Sequence, residues 1–157
     1  MKSPDDLHTH THTLRYNNTR FFTASMYFDI MKEIERELDK IDEILEFTKE
    51  NGLVIAIDSN SRSTTWHDIQ TNKMEKIMEE FIISKSIYIT NEESERTTFK
   101  NRQGSSNIDL TILNNLLLKA LKNWEISEEE SCSEHSITKF DIRQRHLSRH
   151  RIQLQRT

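Results

Sequence analysis

Leu53-Val54-Ile55-Ala56-Ile57-Asp58-Ser59-Asn60 decides the fold. Its five consecutive apolar residues are too few for a helix and suit a strand buried on both faces. The run ends at an acid, with an amide two residues further on. Ahead of it, Ile34, Leu38, Ile41 and Leu45 recur at helical spacing up to Asn51-Gly52, where glycine reads as the helix stop. Ahead of that helix, Phe21–Phe28 is rich in aromatics and short enough for a buried strand. Strand, helix, strand predicts a crossover joining two parallel strands. Open parallel sheets bind ligands at the carboxyl ends of their strands, which is where Asp58 and Asn60 fall.

Downstream, Met74, Ile77, Met78, Phe81 and Ile82 mark one face of a second helix, and this stripe reads as core packing. Short strands are expected near Ser86–Ile89, Thr97–Phe99, Asn107–Leu113 and Ile137–Ile142, with Trp124 in a further one. The short links between them predict a mixed sheet. The fold class is α/β.

Composition sets the outer limits. The chain has 157 residues, about one domain's worth, with 34% apolar and 31% charged residues, enough for a modest core. One cysteine, Cys132, rules out an internal disulfide framework and fits a reducing, intracellular location, nuclear or cytoplasmic. No apolar run approaches the roughly 20 residues that cross a bilayer. Residues 143–157 carry five arginines and no acid, which leaves −9 for the remainder of a chain whose net charge is −4. This segment reads as a basic tail or linker, with electrostatic contact to nucleic acid as the alternative. Residues 1–20 read as a poorly ordered leader. His8, His10 and His12 alternate with threonine there, a pattern that on a strand would face one side and suit a transition metal.

Three motifs carry the chemistry: Asp58-Ser59-Asn60, Ser106-Asn107-Ile108-Asp109-Leu110-Thr111 and Ser133-Glu134-His135-Ser136. Carboxylates suit a hard cation, an amide suits a phosphate oxygen, and an acid beside a histidine can fix the ring's tautomer. Together these are the parts of a metal-assisted phosphodiesterase.

In this order the motifs resemble those of the endonuclease/exonuclease/phosphatase family, which has the DNase I-like fold. Asp58 and Asn60 resemble its Asp-x-Asn, whose acid handles the attacking water and whose amide contacts phosphate. Asp109 resembles the acid that orients the catalytic His, and His135 that His. Glu134 stands where the family has Asp near the metal, and Tyr27 resembles a Tyr that reaches the phosphate. Asn60-Ser61-Arg62-Ser63-x-x-Trp66 and Thr97-Thr98-Phe99 are similar to endonucleases of non-LTR retrotransposons, which nick target DNA.

The resemblance covers residues 21–142, the later half of the family's domain. It implies a partial four-layer αββα sandwich with the first half missing, Mg²⁺ or Mn²⁺ held by Asp58 and Glu134, and DNA as substrate. It implies catalytic roles for Asp58, Asn60, Asp109, His135 and Tyr27. Residues 1–20 offer nothing like the early Glu that is the family's principal metal ligand. The added methylene of Glu134 and the absence of a Pro after Tyr27 are further departures. Impaired nicking is therefore expected, the alternative being a non-catalytic remnant that binds nucleic acid or a partner, self-associating through an exposed sheet face.

Overall fold

A computed structural model describes residues 9–16, 19–143 and 150–154. In chain order the elements are β1 (Thr9–Tyr16), β2 (Thr19–Tyr27), α1 (Ile34–Thr48), β3 (Gly52–Asp58), α2 (Glu75–Ser84), β4 (Ile87–Ile89), β5 (Phe99–Asn101), β6 (Gly104–Ser106), β7 (Asp109–Asn114), β8 (Leu121–Ile126), β9 (Thr138–Ile142) and β10 (His150–Leu154). A single 3-10 turn, Thr64–Trp66, lies between β3 and α2.

The main sheet has the order β1-β2-β3-β7-β4. β2 and β3 are parallel and every other pairing in it is antiparallel, so the sheet is mixed. All seven residues of β3 are buried, which is why its sequence is continuously apolar. Side chains alternate across it. Leu53, Ile55 and Ile57 join Phe22, Ala24, Met26, Leu110 and Ile112 under Ile34, Leu38 and Ile41 of α1 and Met78 and Ile82 of α2. Each such aliphatic side chain contributes about 1.5–3 kcal/mol when fully buried. The opposite face presents Phe21, Val54 and Leu113 to Leu121, Trp124 and Ile126 of β8 and Phe140 and Ile142 of β9. β8, β9 and β10 form a second, antiparallel sheet. Buried Trp124 joins the two sheets by donating from Nε1 to Thr111 Oγ1 at 3.0 Å.

Among the described residues the layers are therefore helix, sheet, sheet. The face of the main sheet expected to be bare is covered over Phe21, Val54 and Leu113 by β8 and β9, and where it opens, at Thr23 and Ser25, it is polar. Other differences concern the ends. Residues 9–16, expected within a poorly ordered leader, pair with β2 through their whole length. Five residues of the expected basic tail form β10 against β9, while residues 144–149 and 155–157 lie outside the described residues. Gly52 is no helix stop. Helix α1 ends at Thr48, and Gly52 opens β3, where a Cβ would lie 2.7 Å from Leu117 Cγ. No helix of the described residues is long and apolar enough to cross a membrane.

Candidate functional site

The sheet register builds the site. Tyr27 pairs with Asp58, and Asp58 with Asp109, so three polar side chains share one row at the edge where β2 and β3 end and β7 begins. Asp58 and Asp109 are 7% and 8% exposed, buried acids on the face opposite the helices. Tyr27, at the end of β2, is 39% exposed.

His135 enters from the segment before β9. Its Nδ1 lies 2.8 Å from Asp109 Oδ2, and its Nε2 lies 3.6 Å from Asp58 Oδ2. With Nδ1 donating to the carboxylate, Nε2 carries the lone pair and faces Asp58. Phe99 packs edge-on against the imidazole at 5.0 Å between centroids. A strand-like bridge between Phe99 and His135 brings the backbones together.

The surrounding contacts fix these three groups through backbone atoms. Asp109 N donates to Thr98 Oγ1 at 3.0 Å, and Thr98 N donates to Asn107 Oδ1 at 3.0 Å. Ser136 N donates to Thr98 O at 2.7 Å, so one fully buried threonine grips both the acid's strand and the histidine's segment. Asn107 N donates to Asp68 Oδ2 at 2.7 Å. The other oxygen of Asp68 accepts from Arg62 Nε and Nη2, at 3.1 and 3.0 Å. The Arg62 motif thus braces the start of β7 through Asp68. Ser59 ties the other strand, its Oγ donating to Ile108 O at 2.8 Å.

Asn60 follows β3 in the left-handed region, with φ 50, a conformation that Asn tolerates better than most residues. Its Nδ2 donates to Phe28 O at 2.8 Å, and its own carbonyl accepts from Asn72 Nδ2 at 2.9 Å. This half-buried amide is held beside the acids. Glu134 is placed differently. Its backbone carbonyl accepts from Lys100 N at 2.9 Å, while its side chain is exposed and outside the acid–acid–imidazole group.

Asp58, Asp109 and His135 each offer a ligand atom, all within 4.8 Å of one another. As a donor set this suits a divalent cation. Two buried carboxylates supply hard oxygens, and Mg²⁺ commonly uses only one or two carboxylates with substrate phosphate and water. The structure brings together Asp58, Asp109 and His135, which the motifs single out, and adds Thr98, Asn107 and Asp68 as their braces. Of these braces, Asp68 lies outside every motif.

The model of the endonuclease-reverse transcriptase family matches residues 21–139. The chain belongs to that family. No curated protein matches the sequence. Among solved structures, one described as the endonuclease domain of TRAS1, a telomere-specific non-LTR retrotransposon, superposes with a TM-score of 0.79 at 22% identity. The match covers 88% of this chain and 64% of that one, so this family member spans under two thirds of the domain it resembles. At that identity the likeness establishes the fold, which is DNase I-like with a mixed multistranded sheet and packed helices.

Proposed function

We propose that this chain is a retrotransposon-type endonuclease fragment that nicks DNA by Mg²⁺-dependent hydrolysis of a phosphodiester, with turnover below that of a complete domain. The observation that carries this reading is His135, held by Asp109 on one nitrogen and turned toward Asp58 with the other.

In this reading the attacking water sits beside Nε2 and Asp58, within hydrogen-bond reach of both. His135 accepts its proton as it attacks phosphorus, and Asp109 stabilises the imidazolium that results. Positioned proton transfer of this kind contributes about 10²–10⁴-fold. Asn60 and Tyr27 contact the non-bridging oxygens beside Asp58. Asp58 and, from its exposed position, Glu134 would hold Mg²⁺. The bound ion supplies charge neutralisation on the phosphate and on the departing oxygen. Reduced turnover follows from this thin set of carboxylates. The setting would be intracellular, where such DNA is found.

Nicking of supercoiled plasmid tests the reading. It should require Mg²⁺, stop with chelator, and vanish in His135→Ala. DNA binding by a folded sample without nicking would instead support a non-catalytic remnant.

A further inference from the structure

The edge strand of the main sheet carries a feature that the candidate active site does not use. β1 reads Thr9-His10-Thr11-His12-Thr13 over its first five residues. Alternate side chains of a strand share a face, so the two histidines lie on one side and the threonines on the other. The register fixes which side. His10 pairs with Ser25 and His12 with Thr23. Directly opposed residues point the same way. Ser25 and Thr23 alternate with Phe22, Ala24 and Met26, which pack under the helices. The histidines therefore stand on the face away from the helices, the face that also carries Asp58 and Asp109. Both imidazoles are exposed, above half-buried Thr23 and Ser25 rather than above core.

A polar edge strand also guards a sheet against pairing with other chains, and that is the bland account of this sequence. It explains polarity but not two imidazoles on the same face. We propose that His10 and His12 form a two-imidazole site for a divalent transition-metal ion of the Cu²⁺, Ni²⁺ or Zn²⁺ class.

Residues two apart in a strand are about 6.8 Å apart at Cα, close enough for two rings of this length to converge on one ion. Imidazole nitrogen suits these ions, and hard oxygen ligands suit Mg²⁺. Among the described residues the one group of three or more candidate ligands is Asp58, Asp109 and His135, so no third such side chain joins the pair. The site is open, its remaining positions filled by water or an exchangeable ligand, and it binds more weakly than a closed four-ligand zinc centre. It lies two strands from Asp58 and about three residues further along, roughly 14 Å away. An ion here is thus a separate occupant from one at the acid pair.

Calorimetric titration of the full chain with Cu²⁺ and with Ni²⁺ tests this, using protein without a polyhistidine tag. All samples carry His135→Ala, to remove the other imidazole site, and His8→Ala, because His8 continues the alternation in sequence. One equivalent should bind, and His10→Ala or His12→Ala should each weaken it about tenfold or more, because the second imidazole acts as an intramolecular ligand. The deciding variant exchanges neighbours, Thr11→His with His12→Thr, which keeps the composition and puts the two histidines on opposite faces. Loss of binding in the exchanged variant, with an unchanged far-UV spectrum, supports the strand-face site. Undiminished binding in that variant, or in the double alanine variant, overturns it.

Discussion

Asp109→Asn separates the proposed catalytic role of the acid from its structural one. Asparagine has the same shape, and the backbone bonds of Asp109 to Thr98 Oγ1 and Asn91 Nδ2 remain available. What changes is the partner of His135 Nδ1, now 2.8 Å from a carboxylate oxygen. An amide nitrogen turned toward Nδ1 would donate to it, move the ring proton to Nε2, and remove the lone pair that faces Asp58. The cost to stability is small. A hydrogen bond to a charged group is worth about 1.5–3 kcal/mol, and the lower end applies because the His135 side chain is 25% exposed. Against that loss stands relief of repulsion. The ligand oxygens of Asp58 and Asp109 lie within 4.8 Å. Two unit charges at that separation repel by about 3 kcal/mol at an effective dielectric constant near 20. The relief exceeds the loss, so the variant should be no less stable than the wild type and should gain up to about 2 kcal/mol. Plasmid nicking should fall about 10²–10⁴-fold, the usual range for losing positioned proton transfer. Urea denaturation gives the first quantity, nicking the second, and nitrogen-15 shifts of His135 report the tautomer. An Asn variant that keeps both the Nδ1–H tautomer and wild-type nicking would refute the reasoning.

Three further predictions concern the frame. Gly52→Ala should destabilise by about 1–3 kcal/mol in urea, since its Cβ meets Leu117 Cγ at 2.7 Å, and adding Leu117→Ala should show a favourable coupling. Asp68→Ala strands the Asn107 N–H and the Arg62 guanidinium. It should cost about 3 kcal/mol, the low end for a broken buried pair because the Arg62 side chain is 28% exposed. Trp124→Phe leaves the buried Thr111 hydroxyl without its indole donor and should cost about 1–3 kcal/mol, read as a lowered denaturation midpoint with unchanged slope.

How far the sequence discloses this molecule depends on whether a local pattern or a distant partner sets each part. β3 and α1 are legible because burial on both faces, or on one helical stripe, writes itself as a run or a period. Asp58 and Asp109 are legible because each stands where an apolar run begins or stops, and strand ends gather at one edge. β1 is not, since threonine and histidine carry no apolar alternation and its hydrogen bonds come from β2. Thr98 is equally silent. Its four bonds reach Ser106, Asn107, Asp109 and Ser136, and only the fold brings these together. Gly52 looks like a helix stop in sequence because Leu117, the reason for glycine, lies far along the chain.

Glu134 and His135 adjoin in sequence, yet the structure parts them, and this sets the order of metal effects. Neighbouring residues in an extended segment point in opposite directions. With His135 turned in toward Asp109, Glu134 turns out to solvent, its carbonyl anchored by Lys100 N. Asp58 keeps one oxygen within 4.8 Å of the other two ligand atoms. A ligand in direct contact with an ion contributes more than one acting through a water shell. Asp58→Asn should therefore raise the Mg²⁺ concentration for half-maximal nicking far more than Glu134→Gln does. Because the Glu134 side chain makes no contact inside the cluster, its change should leave the denaturation curve unmoved. A Mg²⁺ titration of both variants checks this. An equal shift in the two would mean that the glutamate swings in to bind the ion directly, with the segment before β9 rearranging around it.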